Sequence, residues 1–153
     1  MVSNFEELGG RLLVIFDGRC GLCNRAVRWF LRRDRQERLR FVASESPKVA
    51  GLLERHKMGT PGSGSGSDTT LRTVLVALDP DGPGELVLAR SDAVLALLSE
   101  LPSPWPAVAA ALRWIPPPVR DLGYRLIARW RYRIWGRFES CPIPTVEERK
   151  RFL

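Results

Sequence analysis

The sequence predicts an α/β fold, a β-α-β-α-β-β-α core followed by a C-terminal helical extension, and three observations carry that prediction. A short continuous apolar run, Leu12 to Phe16, gives way at Cys20 to a helical period and then to a second strand-like run at Leu39 to Ala43. Two more strand-like runs, Thr73 to Leu78 and Glu85 to Ala89, flank the strong turn signal Asp79-Pro80-Asp81-Gly82-Pro83-Gly84. Beyond Leu101, prolines divide the remaining chain into two helical stretches.

The first run is uniformly apolar, as a central strand covered on both faces requires. The helix after it carries Leu22, Ala26, Val27, Trp29, Phe30 and Leu31 on its apolar face, sets Arg25, Arg28, Arg32 and Arg33 mostly opposite, and ends near Asp34. In the next strand Leu39, Phe41 and Ala43 alternate with Arg40 and Val42, and a crossover of this length makes the two strands parallel. Ser46-Pro47 supplies an N-cap and a first-turn proline for a helix with Val49, Leu52 and Leu53 on its apolar side, running to about Lys57. Residues 59–68 form a Gly/Ser stretch that cannot pack and reads as a surface loop. After the hairpin, Ser91 is placed to cap a helix bearing Val94, Leu95, Leu97 and Leu98. Pro102, Pro104 and Pro106 introduce a short Ala-rich helix ending near Trp114-Ile115, and Pro116-Pro117-Pro118 separates it from a longer helix beginning near Val119. At 100° per residue Leu122, Leu126, Trp130 and Ile134 form one apolar row of that helix, with Arg133 close beside it. The head of Arg133 must snorkel, pair with a carboxylate or face the reactive site.

With 153 residues and 44% hydrophobic content, the chain reads as one domain over 1–153, its core at about 10–101 and its extension at about 102–153. The acidic N-terminus is unlike a signal peptide, and no run is long enough to span a bilayer, so a cytoplasmic protein is expected. Net charge is +7, but arginines spread along helices supply most of it and no block of like charge forms a basic tail. A solvated arginine-rich surface is therefore the reading, and nucleic acid is not expected as a partner.

Chemistry concentrates at Cys20-Gly21-Leu22-Cys23, a Cys-x-x-Cys pair at the junction of strand and helix. Cysteines three apart close a disulfide only where the backbone bends, and a first helical turn provides the bend. Its unpaired N–H groups and positive dipole end also favour an anion, which makes a cysteine there more acidic than a free thiol. Lowering a thiol pKa from about 8.5 to about 7 raises the thiolate fraction at pH 7 from about 3% to about half. Cys20 is the better-placed nucleophile and Cys23, one turn in, the resolving thiol. The competing zinc reading needs four ligands and finds only Cys20, Cys23, Cys141 and a lone His56 without ligand spacing; no cofactor is expected.

Asp17, Cys20 and Cys23, in the order Asp-x-x-Cys-x-x-Cys within Phe16-Asp17-Gly18 and followed by Asn24-Arg25, resemble the DCC family of thiol-disulfide oxidoreductases. The resemblance returns at Arg38-Leu39-Arg40-Phe41, Ser91-Asp92-Ala93-Val94, Arg131-Tyr132-Arg133 and Cys141-x-x-Pro144-Thr145, with Arg149 to Leu153 behind. It implies a thioredoxin-like fold, which the element order also suggests, and dithiol chemistry; it does not supply the substrate, for which a protein disulfide or a low-molecular-weight thiol is the expectation. Unlike thioredoxins, the chain enters its third strand through Arg72-Thr73-Val74 with no adjacent proline.

Asp17 has two readings, a base for the resolving thiol or a cap on the backbone N–H groups of Gly18 to Cys20. Arg19 and Arg25 flank the dithiol and lower the pKa of Cys20 if their heads reach it. Ser91 and Asp92 stand where glutaredoxin-like proteins hold a carboxylate of glutathione, against which the plain N-cap competes. Cys141, among prolines, is either a third redox thiol or a buried structural residue. The extension is expected to lie beside the dithiol helix, burying Trp105, Trp114, Trp130 and Ile134, pointing Arg133 at the thiolate or Asp17, and standing in for the missing proline. A second class of function is a binding module built on the last helix through Trp130, Trp135, Arg125, Arg129 and Arg137, and exposed tryptophans favour it.

Overall fold

The computed structural model describes residues 11–17, 21–44, 46–56, 74–80, 82–136, 146 and 148–152, without the side chains of Ala128, Arg131, Tyr132 and Trp135. The Gly/Ser stretch 59–68 lies outside them. Strand β1 (Leu12–Phe16) is buried along its whole length, with a partner on each edge and a core layer on each face. On one side it pairs in parallel with β2 (Leu39–Ala43), Leu12 facing Leu39 and Phe16 facing Ala43. On the other it runs antiparallel to β3 (Leu75–Leu78), which pairs antiparallel with β4 (Leu86–Ala89). The order is β2-β1-β3-β4, a mixed sheet consistent with the thioredoxin-like α/β fold.

Alternation along the strands divides the core into two layers. Leu12, Val14 and Phe16 face helix α1 (Gly21–Arg33), helix α3 (Arg90–Ser99) and Ala109 of helix α4 (Trp105–Arg113). Leu13 and Ile15 point the other way, onto Val49 and onto Leu52 and Leu53 of helix α2 (Ala50–Arg55). A 3-10 turn (Pro47–Val49) precedes α2, and the Ser46 hydroxyl accepts from the N–H of Lys48, so Ser46 is the expected cap of a shorter helix. His56 ends α2 and contacts Glu85 through Nε2 at 2.8 Å, while Arg55 donates to the same carboxylate from Nε and Nη2. The helix is thereby tied to the start of β4.

Asp34 closes α1 and opens β2. Its carboxylate accepts from the N–H groups of Arg38 (3.0 Å) and Leu39 (2.9 Å), while Arg151 donates to Oδ2 at 3.2 Å and to the Asp34 carbonyl at 2.7 Å. Arg151 belongs to a C-terminal 3-10 turn (Glu148–Arg151), after which Phe152 bridges to Phe41 and sets its ring against Phe16 and Phe41. The chain end therefore returns to the β2 side of the sheet.

Helix α5 (Pro117–Trp135) lies along α1 and α3 but turns an unexpected face to them. The apolar row expected to be buried is exposed: Leu122, Leu126, Trp130 and Ile134 all lie open to solvent, and Trp114 is 89% exposed. The row facing the core is Arg120 and Tyr124, one helical turn apart, with Arg120 nine-tenths buried. Of the expected cover for α1 the structure supplies Trp105, whose ring lies 4.7 Å from that of Trp29, with the Arg33 guanidinium 3.9 Å above Trp29. The expected Ser91 cap is also corrected. Residue 89 holds the cap position of α3, Ser91 lies inside the helix, and its hydroxyl donates to Asp121 Oδ1 of α5 at 2.5 Å. A carboxylate delivered by the extension has outcompeted the local backbone for that hydroxyl.

Candidate redox site

The site starts at the C-terminal end of β1, where the parallel ladder continues one step as the Ser44 N–H donates to the Phe16 carbonyl at 2.8 Å. Asp17 follows, only 4% exposed, in the loop that leads to α1. A carboxylate there has left bulk water and sits where strand and dithiol helix meet. Arg19 and Cys20 lie outside the described residues. The helix then begins at Gly21, and Cys23 is its third residue, half-buried against the core layer of α1. No acidic residue occupies the first turn of α1, so its positive dipole end keeps its preference for an anion. Arg25 is exposed on the outer face.

Two contacts with α5 complete the surroundings, and neither was read from the sequence. The Gly21 N–H, next in the chain to Cys20, donates to the Gly136 carbonyl just beyond the end of α5 at 3.3 Å. Gly136 has φ +77°, which favours glycine at this helix end. The Tyr124 hydroxyl accepts from the N–H of Val74 at 2.9 Å, immediately before β3. That is the approach to the third strand where the sequence lacks a proline, so the extension does meet the region assigned to it, through Tyr124 and not through the apolar row.

Among the remaining expected site residues, Ser91 and Cys23 share the wall of a cavity of about 540 Å³ between the sheet, α1, α3 and α5. Asp92 lies outside that wall, its Oδ1 3.4 Å from Arg120 Nη2. The hydrogen bond from Ser91 holds the Asp121 carboxyl below its ordinary pKa; Arg90 and Arg125 act in the same direction. Arg133 is exposed, with its guanidinium 5.3 Å from the Trp130 ring centroid. Cys141 lies outside the described residues, as do Arg137 and the Trp135 side chain. No group of three or more metal-binding side chains occurs among the described residues.

A mixed four-stranded sheet with Cys23 in the first turn of the first helix is consistent with the thioredoxin-like α/β class. Residues 14–137 match the DCC1-like thiol-disulfide oxidoreductase family, and the chain belongs to that family. It is 34% identical to a chloroplastic DCC family protein of Arabidopsis thaliana over 92% of its own length and 74% of the relative's. It is also 32% identical to the uncharacterized protein YuxK of Bacillus subtilis over 97% of each chain. No solved structure gives a significant match.

Proposed function

We propose that the protein exchanges its Cys20–Cys23 dithiol with the disulfide of a protein or of a low-molecular-weight thiol. The observation that carries this reading is a buried Asp17 just past the end of β1 and Cys23 in the first turn of the next helix, in a chain of a thiol-disulfide oxidoreductase family. In the exchange the Cys20 thiolate attacks one substrate sulfur, the substrate disulfide breaks, and the other sulfur leaves as a thiolate. Cys23 loses its proton, Asp17 being the acceptor, and attacks the Cys20 sulfur. The second substrate thiolate leaves, so the substrate gains two electrons and the enzyme holds a Cys20–Cys23 disulfide. A thiol reductant reverses the sequence.

Arg19, Ser91, Asp92 and Arg133 are the substrate-contacting residues of this proposal, with Cys141 as a candidate third thiol of the exchange. The reaction suits a reducing compartment, and we assign it to the cytoplasm; no helix among the described residues is long and apolar enough to cross a membrane. The test is Cys23→Ser incubated with a small model disulfide. Intact mass should rise by one substrate half, on Cys20, and Cys20→Ser should remove the adduct. An unmodified Cys23→Ser chain contradicts the reading.

A second reading is favoured by one observation, the exposed row Leu122, Leu126, Trp130 and Ile134 flanked by exposed Arg125, Arg129 and Arg133. An apolar stripe with arginines beside it suits an anionic lipid surface. Flotation with phosphatidylglycerol vesicles, weakening as salt rises, supports it; no flotation at low salt removes it.

A further inference from the structure

The cavity beside Cys23 contains an arginine that its own fold leaves incompletely paired. The cavity, about 540 Å³, is roomy enough for water, yet its walls are almost wholly apolar and offer such water few partners. The polar groups on the wall are those of Cys23, Ser91, Tyr124 and Arg120. The Ser91 hydroxyl donates to Asp121, and the Tyr124 hydroxyl accepts from Val74. Arg120 differs: its side chain is nine-tenths buried, and Nε and Nη1 have no hydrogen-bond partner. Its ion pair with Asp92 engages only Nη2, is long at 3.4 Å, and reaches a carboxylate that is 57% exposed. A desolvated guanidinium with unpaired N–H groups is costly unless a ligand completes it.

We propose that this cavity binds an amphipathic organic carboxylate, its apolar body lying between α1, α3 and α5 and its carboxylate on Arg120. The size lies in the range of small-molecule sites, and one polar anchor in an apolar wall is their usual arrangement. Among the described lining residues Arg120 is the one cation, which matches the single charge of a carboxylate better than the double charge of a phosphate monoester. The binding assay involves no thiol reaction, so it can succeed or fail whether or not the dithiol exchanges.

Calorimetric titration of the full chain with decanoate, below its micelle concentration, and with decan-1-ol tests the proposal. Decanoate should bind saturably at one per chain and decan-1-ol about ten- to hundredfold more weakly, the size expected of a hydrogen bond to a charged group. Arg120→Met should bring decanoate down to the level of the alcohol, while exposed Arg32→Met leaves both unchanged. Absence of saturable decanoate binding, equal binding of the two ligands by the unaltered chain, or undiminished discrimination in a folded Arg120→Met chain overturns it. If Arg120→Met does not fold, the comparison of the two ligands on the unaltered chain decides alone.

Discussion

Asp34 shows how a single residue can join distant parts of a chain. With 1% exposure, its carboxylate is held by two backbone N–H groups at the entry to β2 and by Arg151, 117 residues away. Removing the carboxylate leaves the two N–H groups without their acceptor and takes one of two Asp34 contacts, though not that to the carbonyl, from a largely buried guanidinium. Asp34→Ala should therefore cost about 3 kcal/mol in denaturant unfolding, whereas Arg35→Ala, exposed beside it, should fall within about 0.5 kcal/mol. In the sequence Asp34 was legible only as a helix end, because nothing local announces a partner so far along the chain. Ser91 is a similar case. A serine before an apolar helical run reads as a cap, and only the fold brings Asp121 to its hydroxyl. Because the folded state depresses the Asp121 pKa, this tether's contribution is complete above the ordinary carboxylate range and fades as pH falls through the lowered value. A carboxyl NMR titration should place Asp121 below the usual aspartate range, and Ser91→Ala should move it upward; an unmoved midpoint would assign the shift to the arginines instead.

At the scale of elements, helix α5 separates what periodicity can tell from what it cannot. The spacing of Leu122, Leu126, Trp130 and Ile134 correctly identifies a face, but a face is not a neighbour. The helix instead turns Arg120 and Tyr124 inward, towards the start of β3 and the cavity. Leu126→Ser should accordingly change stability by no more than about 0.5 kcal/mol, where a buried leucine would cost several times more. Gly123 sharpens the point, since a Cβ built there meets nothing within 4 Å. Gly123→Ala should raise stability by about 0.5–1 kcal/mol through helix propensity alone, read as a higher melting temperature; destabilisation would show that α5 packs more closely than described. The short strands were easier to read. Leu12–Phe16 and Leu39–Ala43 occur as predicted because β1 is covered on both faces and β2 buries Leu39 and Phe41 on one face and Val42 on the other.

For the molecule as a whole, local signals carried the core layout and the placement of Cys23 in the first turn of α1, while long-range contacts carried what surrounds it. A turn-rich Asp79 to Gly84 segment defines the hairpin, and the apolar run into Cys20 defines the strand-to-helix junction. Arg120, Tyr124 and the Gly136 carbonyl could not be read, since their partners come from remote elements. The arginines also gather more than their spread in sequence suggests. Burial, together with Arg11 and Arg151 nearby, lowers the pKa of Arg40. The dithiol itself is tested by a count of free thiols on the denatured chain before and after mild oxidation, with mapping of the linked peptides. The chain has three cysteines. Oxidation should leave one free thiol, Cys141, and a single peptide pair joined through Cys20 and Cys23; three free thiols, or a bond that includes Cys141 in place of either, would rule out a Cys20–Cys23 exchange centre.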